Sequence, residues 1–437
     1  MTSTVQIRDR SVWHSSPKTM KAVLGVGIRT NPQPIARHCL GELAAVSEDI
    51  ATIAECAALA DRMFTRRRSV QWARSIELEI PVYEHRALSE SKTIAALHET
   101  LSFLTGDDWK IAFVPRTDAR PVETFLPLGV EKQSVIPFSD GLDSFALCQL
   151  MRNSLGREAV LPLQVGYLQR GDAGLRARPL RVPRGFRMGH PREQSYRTRP
   201  FVYFSIAAIA CSTIRGDAVW VGENGQGALG PSFAKFADEW PFRSTHPAFL
   251  SRLSVFLSSA LQGEVRFRQP HLWRTKGEVI AELLEKNPQL DWQHTQSCSQ
   301  RPLQRRMRKA CGFCGGCLLR RVSIAAASLP AEENHAFECA SSDLALIDHQ
   351  GVSVQMSLSD RQILARAAMS MSLFARADFA PDFDEAAARE VREIAGAHNR
   401  KAVEDDLRSL IRRHRAEWEG FLLKLPDQAW LKQQFLM

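Results

Sequence analysis

Four cysteines in the second half of the chain have a spacing that suits a single metal ion. They follow the pattern C-x12-C-x2-C-x2-C and are Cys298, Cys311, Cys314 and Cys317. Closely spaced cysteines with intervening glycines form thiolate turns around a tetrahedral ion, and four thiolates without a further ligand indicate structural zinc. An iron–sulfur cluster is the alternative, because C-x2-C-x2-C also occurs in ferredoxins.

A second segment has the residue types that bind phosphate. A short apolar run at 134–138 leads into SDGLDS, and a helical pattern begins at once; the six residues are Ser139, Asp140, Gly141, Leu142, Asp143 and Ser144. The free N–H groups and the positive dipole end of a helix N-terminus bind phosphate oxygens. Gly141 lets the backbone approach a ligand closely, and Asp143 can cap the helix or help to hold magnesium. An ordinary capped turn between strand and helix is the alternative.

The surrounding pattern predicts the elements that position these groups. Strands expected at 134–138, 160–167, 218–222 and 265–267 alternate with helices at 201–214, 246–261 and 276–286. This alternation is typical of an α/β fold, in which a mostly parallel sheet carries helices on both faces. We expect an N-terminal α+β region at 1–115, a linker at 116–132, the α/β domain at 133–340 with its zinc site at 298–317, and a helical C-terminal extension at 341–437.

Composition narrows the class of protein. The 437 residues have a formal net charge of +9, which favours polyanionic partners such as nucleotides, nucleic acid or an acidic protein. Nine arginines in 170–199 could grip RNA phosphates or an acidic partner, although most such loops are merely solvated. The chain has neither the roughly 18–20 uninterrupted apolar residues of a membrane helix nor an apolar secretory signal. We therefore expect a cytoplasmic protein that does not bind membranes.

The loop and the cysteine cluster together resemble the PP-loop ATP pyrophosphatases. Their signature is SGGxDS, and Asp140 stands where the family has its second position, normally glycine. Within this family the chain is similar to QueC-type enzymes, whose zinc site reads Cys…CGxCxxC…R and here ends CGFCGGCLLR at Arg320. The PHLWRTKGE stretch at 270–278 also resembles the family, and the likeness covers about residues 130–325. GENG at 222–225 and STHP at 244–247 are shared with long QueC-like proteins of bacterial anti-phage clusters, the QatC group of the Qat system.

This resemblance implies a reaction. QueC-type enzymes adenylate the carboxylate of 7-carboxy-7-deazaguanine with ATP, release pyrophosphate and transfer the activated acid to ammonia; related defence proteins are thought to modify a partner protein. It implies ATP, Mg²⁺ and Zn²⁺ as cofactors and a protein partner from the same defence operon. The SDGLDS residues would bind pyrophosphate, with Asp143 and Lys276 catalytic. Substrate contacts are expected from Glu223, Asn224, His246, Arg197 and Arg199.

Two other functions remain open at this stage. A tRNA-modifying PP-loop enzyme fits the basic charge, and a nucleic-acid partner is allowed but not favoured. A tRNA thiolase would need two catalytic cysteines free of metal, and the chain has no CxxC pair beyond the cluster. The other function is a non-catalytic QueC-like scaffold within a defence complex, because Asp140 would repel phosphate unless a metal intervenes or its side chain points away.

Overall fold

The computed structural model of the chain describes most of its length. The described residues are 4–9, 18–66, 72–120, 132–166, 179–186, 192–234, 236, 239–300, 310–332, 335–339, 344–348, 350–380, 383–395 and 399–436. Most of the expected linker and much of the arginine-rich stretch lie outside these ranges. Within them, no helix is both long enough and apolar enough to cross a membrane.

The N-terminal part contains a four-stranded mixed sheet. Its elements are β1 (Thr4–Asp9), β2 (Lys18–Val23), β3 (Ile28–Thr30), α1 (Gln33–Cys39), α2 (Ala45–Met63), β4 (Ser75–Val82), α3 (His85–Leu88), α4 (Ser91–Thr105) and β5 (Asp108–Pro115). The strand order is β2-β1-β4-β5, with β4 and β5 parallel and the other pairs antiparallel. Alternate residues Ile76, Leu78 and Ile80 of β4 are buried, as expected for a strand with one face on a core.

The middle of the chain forms the expected parallel sheet. Its elements are β6 (Ser134–Pro137), α5 (Leu142–Leu155), β7 (Val160–Val165), β8 (Leu180–Val182), β9 (Arg184–Phe186), α6 (Arg199–Thr213), β10 (Val219–Trp220), α7 (Gly225–Phe233), α8 (Pro247–Leu261), β11 (Phe267–Arg268) and α9 (Lys276–Lys286). The strand order is β11-β10-β6-β7-β8, and every neighbouring pair is parallel. The order reverses between β6 and β10, the position at which open α/β sheets bind ligands.

Helices cover both faces of this sheet, as the sequence predicts. Successive residues of a strand point to opposite faces. Val135 of β6 belongs to the core that includes Phe201 of α6, whereas its neighbour Ile136 packs in a second core with Phe145 of α5. The first core also contains Ile53 of α2, so the N-terminal sheet and the parallel sheet share one apolar interior. The domain boundaries inferred from the sequence stay a prediction.

The C-terminal part is mainly helical and packs against the α/β core. Its elements are α10 (Gly315–Ala326), β12 (Ala345–Ile347), β13 (Ser353–Gln355), α11 (Leu358–Ala375), α12 (Phe383–Ala395), α13 (Arg400–Leu423) and α14 (Trp430–Phe435). The antiparallel pair β12–β13 departs from the almost purely helical pattern expected after residue 340, because three-residue strands are too short to show a period of two. Leu407, Leu410 and Ile411 of α13 are buried with Leu229 of α7, which places the extension beside the sheet's ligand-binding edge.

Candidate active site

The loop between β6 and α5 is shaped by its own serines. Ser139 N donates to Ser144 Oγ at 3.1 Å, and Ser144 Oγ donates to the carbonyls of Ser139 (3.0 Å) and Gly141 (3.1 Å). Gly141 N donates to Ser139 Oγ at 3.1 Å. Gly141 has an extended backbone with φ −76°, so glycine is not required by its φ angle. A Cβ there would lie 3.0 Å from Ser139 Oγ, so a side chain at this position would require the Ser139 hydroxyl to shift by a few tenths of an ångström.

Asp140 lies on the wall of the same loop, in an environment that disfavours its charge. Burial raises the pKa of its carboxyl group, while Arg181 and His294 act in the opposite direction. Within the described part of the chain, its Oδ1 is buried without a hydrogen-bond partner. The carbonyl of Asp140 accepts from Gln296 N at 2.7 Å. The backbone of this residue thus ties the loop to the segment before the cysteine cluster, and its side chain is poorly solvated.

An acidic group and a lysine meet at the start of α5. Lys276 Nζ lies 2.5 Å from Asp143 Oδ2. Asn224 Nδ2 donates to Asp143 Oδ1 and to Glu223 Oε1, both at 2.9 Å, and so bridges the two carboxylates. Burial, followed by the negative charge of Asp143, raises the pKa of Glu223, and Lys276 opposes that shift. Predicted catalytic and substrate residues from three separate loops therefore form one cluster.

Close backbone packing holds this cluster together. A Cβ on Gly222 would lie 2.7 Å from the carbonyl oxygen of Asp143, and a Cβ on Gly227 would overlap the carboxylate of Glu223. A side chain at position 222 would force the loop after β10 away from α5, and one at position 227 would displace the Glu223 carboxylate. The glycines thus permit the contact between Asp143 and the loop that carries Glu223 and Asn224.

The cluster opens into a cavity of about 1010 Å³. One wall consists of the β6–α5 loop, and another comes from the C-terminal extension through α11 and α13. The residues that the extension contributes are Ile363, Arg366, Ala367, Ser370, Met371, Phe374 and His414. Since small-molecule sites span roughly 300–1,000 Å³, the cavity has room for a nucleotide and a second small molecule.

The predicted arginines line the cavity, and the predicted histidine does not. Arg197 is buried; it donates to the carbonyls of Trp240 (2.8 Å) and Pro241 (3.0 Å), and burial lowers its pKa to about 10. Arg199 is exposed on the cavity wall. His246 is fully buried, accepts from Ala248 N through Nδ1 and pairs with Glu390 at 2.8 Å through Nε2. Both ring nitrogens are thus used inside the protein, and substrate contact by His246 stays a prediction.

The four cysteines converge as their spacing predicts. Their sulfur atoms all lie within 4.8 Å of one another, and Cys311 Sγ is 3.8 Å from Cys317 Sγ. Zinc–sulfur distances of about 2.3 Å in a tetrahedron separate the ligands by about 3.8 Å. Cys314 Sγ accepts from Ser299 N at 3.4 Å and Cys311 Sγ accepts from Cys314 N at 3.3 Å, as thiolate ligands do. The geometry and donor set fit one tetrahedral zinc ion.

Arg320 connects the cysteine cluster to the loop between β6 and α5. Its buried guanidinium donates to the carbonyl and hydroxyl oxygens of Thr295 at 2.8 and 2.9 Å and forms a 2.7 Å ion pair with Glu332. Thr295 precedes Gln296, whose N–H binds the Asp140 carbonyl. The segment that carries the four cysteines is thereby anchored to the β6–α5 loop, which forms one wall of the cavity.

Comparison with known families agrees with this site. Residues 197–328 match the family model described as queuosine biosynthesis protein QueC. The matched segment contains Glu223, Asn224, Lys276 and the four cysteines, but neither the SDGLDS loop nor the C-terminal extension. It spans less than a third of the 437 residues. A search of curated proteins finds no match.

Three residues of the site were not predicted from the sequence, because none of them belongs to a recognisable motif. Gln226 of α7 and His414 and Glu417 of α13 form a buried network against the first turn of α9. Gln226 could have been predicted, because it lies only two positions beyond Asn224, a predicted substrate residue. His414 and Glu417 carried no such signal, because they sit in a charged helix whose docking site is not encoded locally.

Proposed function

We propose that this protein is an ATP-consuming enzyme of the PP-loop type, which activates a small carboxylic acid as its adenylate. The observation that carries the proposal is the pairing of Lys276 with Asp143 of the SDGLDS segment, at the N-terminus of α5 and at the switch point of a parallel sheet. This position combines helix-end N–H donors with a lysine charge, which is what phosphate groups require.

The residues of the cavity have separate roles in this proposal. The first N–H groups of α5 and the hydroxyls of Ser139 and Ser144 bind the pyrophosphate portion of ATP. Lys276 neutralises negative charge at the α-phosphate as the bond to the leaving group breaks. Asp143 holds Lys276 in position before the nucleotide enters.

The carboxylates of Asp143 and Glu223, with the neighbouring Asn224 amide, would hold Mg²⁺, since this ion prefers oxygen ligands. The raised pKa of Glu223 fits this role, because a buried acid pair with a single lysine lacks positive charge. A bound magnesium ion would supply that charge and shield the phosphates from the two carboxylates. The zinc site is structural in this proposal, since four thiolates leave no open position for chemistry.

The reaction has two steps. A carboxylate oxygen of the acid attacks the α-phosphorus of ATP, the bond between the α-phosphorus and the bridging oxygen breaks, and pyrophosphate leaves with the bond electrons. An amine then attacks the carbonyl carbon of the acyl adenylate, AMP leaves, and the nitrogen loses a proton to form an amide. Because a carboxylate is a poor electrophile, adenylation provides the leaving group, and the enzyme mainly supplies positioning and charge neutralisation.

The match to QueC supports a 7-deazaguanine carboxylate as the acid. In this proposal Arg197 and Arg199 meet the acid or phosphate groups, and Glu223 accepts hydrogen bonds from the ring when it is not bound to metal. The amine belongs to ammonia or to a partner protein. The shared GENG and STHP segments favour the long QueC-like proteins of anti-phage clusters, and we propose a partner from the same operon.

The test is to incubate the purified protein with ATP, Mg²⁺ and 7-carboxy-7-deazaguanine, with and without ammonia, and to follow nucleotide products by mass spectrometry. We expect AMP and pyrophosphate only when the acid is present. If an amide or nitrile forms only with ammonia, ammonia is the amine that attacks the adenylate. If the acid is recovered covalently bound to a co-expressed protein, that protein is the acceptor. Absence of AMP with the acid, ammonia and a co-purified partner would overturn the proposal in favour of a scaffold.

A further inference from the structure

The C-terminal helix α13 contacts the helix end that carries Lys276. Lys276 is the first residue of α9, and its backbone N–H is one of the N-terminal groups for which a helix has no internal acceptor. That N–H donates to Gln226 Oε1 at 2.8 Å. Gln226 Nε2 donates in turn to Glu417 Oε2 at 2.9 Å and to His414 Nδ1 at 2.8 Å. The amide of Gln226 thus joins α13 to the start of α9.

The contact between His414 and a backbone carbonyl determines the direction of the other hydrogen bonds in this network. His414 Nε2 lies 2.9 Å from the carbonyl oxygen of Met371. A carbonyl only accepts, so Nε2 carries the proton and Nδ1 of the neutral ring accepts. Burial lowers the pKa of His414 to about 4, which keeps the ring neutral near pH 7. Gln226 must then present its NH₂ group to α13 and its carbonyl oxygen to Lys276, and Glu417 reinforces the same orientation.

Glu417 also reaches α9 directly. Its Oε1 accepts a hydrogen bond from the hydroxyl of Thr275, the N-cap of α9. The same hydroxyl accepts from Glu278 N at 3.2 Å. The Thr275 hydroxyl therefore acts both as a donor to Glu417 and as an acceptor. Glu417 is therefore the one described carboxylate that binds the N-cap of α9 and the Gln226 amide together. Gln226 lies in the first turn of α7, two positions after Asn224, so Glu417 links two of the loops that form the cluster.

We propose that Glu417 is a positioning residue for Lys276: it orients Gln226 and Thr275 so that the lysine projects toward Asp143 and the phosphate loop. The inference deepens the proposed function and rests on it for the role of Lys276. It assigns the C-terminal extension a part in the reaction, although the extension lies outside the segment that matches QueC. Without Glu417, the Gln226 amide and the Thr275 hydroxyl lose the carboxylate that orients them toward the first turn of α9. A displacement of about 1 Å at a reacting group can cost about 100-fold in rate.

Each variant removes a different part of the hydrogen-bond network among Glu417, Gln226 and the start of α9. Glu417→Ala removes both acceptors, Gln226→Met keeps the side-chain volume but removes the amide, and Glu417→Gln retains a carbonyl acceptor. Arg415→Met is the matched control: Arg415 lies on the same helix but binds the carbonyl of Ala375 at 2.7 Å and the carboxylate of Asp378, away from α9. All four are made in the full chain.

Steady-state AMP formation is measured first. We expect kcat to fall about 10- to 100-fold in Glu417→Ala and in Gln226→Met, with KM for ATP nearly unchanged. Glu417→Gln should recover most of kcat. A double variant that combines Glu417→Ala with Gln226→Met should lose less kcat than the product of the two single losses, because the two substitutions share the bond between Glu417 and Gln226. An equal loss of kcat in Arg415→Met, or unchanged kcat in Glu417→Ala, would overturn the inference.

Hydrogen–deuterium exchange of peptides covering 272–286 gives a second readout that does not need turnover. Glu417→Ala should increase exchange at the first turn of α9 and leave α5 unchanged, whereas Arg415→Met should leave the first turn of α9 protected. Unchanged exchange at α9 in Glu417→Ala overturns the positioning role. If the wild-type protein forms no AMP under any condition, the proposed function fails, and the exchange experiment still decides whether Glu417 holds the start of α9.

Discussion

Lys276 Nζ and Asp143 Oδ2 lie 2.5 Å apart although the two residues are separated by 133 positions in the chain. The pair joins the first turn of α9 to the first turn of α5, and the other oxygen of Asp143 accepts from Asn224. A phosphate group that reaches the N-terminus of α5 enters beside a lysine already in place. The pair is therefore both a structural link and the source of positive charge at the proposed phosphate site.

Removing that charge should abolish most of the activity. We expect Lys276→Met to lower kcat for acid-dependent AMP formation by about 100- to 1,000-fold, the range lost when a group that stabilises transition-state charge is removed. Lys286→Met is the matched control, since Lys286 is on the same helix and forms an exposed pair with Glu282. Thermal unfolding monitored in parallel would show that both proteins fold. Wild-type turnover by Lys276→Met would contradict the assigned role.

Asp140, in the proposed phosphate loop, should weaken nucleotide binding. We expect Asp140→Gly to lower KM for ATP by about two- to tenfold, because it removes a carboxylate that repels phosphate across a poorly solvated wall. Asp140→Asn distinguishes charge from backbone effects: it keeps the side-chain size, so an equal gain shows that charge is responsible. Initial rates at varied ATP concentration measure both variants. A higher KM in either variant would mean that Asp140 assists binding, through a metal ion.

The four-cysteine site should hold about one zinc ion per chain, since its sulfur atoms match a tetrahedral set. We expect Cys314→Ser to lose that zinc and to lower the unfolding temperature, because metal binding then no longer stabilises the folded chain. Metal content by plasma mass spectrometry after dialysis measures the first effect and differential scanning calorimetry the second. Cys148→Ala, which removes a buried thiol outside the cluster, should retain its zinc. Iron rather than zinc in protein purified under anaerobic conditions would contradict the assignment.

The free energy of unfolding should depend on pH through the carboxyl group of Glu417. Burial raises the pKa of this carboxyl group from 4.5 to about 7. Between those pH values the folded chain binds a proton that the unfolded chain releases, so this group's contribution to the free energy of unfolding decreases as pH rises and is constant above about pH 7. The slope from one group is at most about 1.4 kcal/mol per pH unit. Relative to Glu417→Gln, the wild type should therefore lose stability across this window.

Denaturant unfolding at several pH values between 4.5 and 8 measures that difference. Comparing the two proteins cancels the groups they share, including the neighbouring Glu278, Arg413 and His414. Parallel pH profiles for the wild type and Glu417→Gln would show that the carboxyl group titrates normally in the folded protein.

Local pattern was sufficient for several parts of this protein. The apolar run before SDGLDS predicts a strand, a phosphate loop and a helix, and the structure has β6 and α5 with the loop between them. The C-x2-C-x2-C spacing brings three thiols together within two short turns, and the fourth cysteine joins them. The alternation of strands and helices predicted a parallel sheet with helices on both faces. These features depend on neighbours in sequence, so residue order alone specifies them.

Long-range contacts decided the remainder. His246 was predicted to contact substrate, yet its Nε2 is bound to Glu390, 144 positions away. Glu417 lies in a charged helix that looks like a solvated surface, yet it is 191 positions from the Gln226 amide that it orients. The sequence determined which groups can bind phosphate and metal, because helix ends and closely spaced thiols form locally. The packing of the C-terminal helices on the sheet determined which side chains surround Lys276. It also determined which side chains are hydrogen-bonded within the protein and so unable to bind a ligand, because burial and hydrogen-bond partners are set only when distant segments meet.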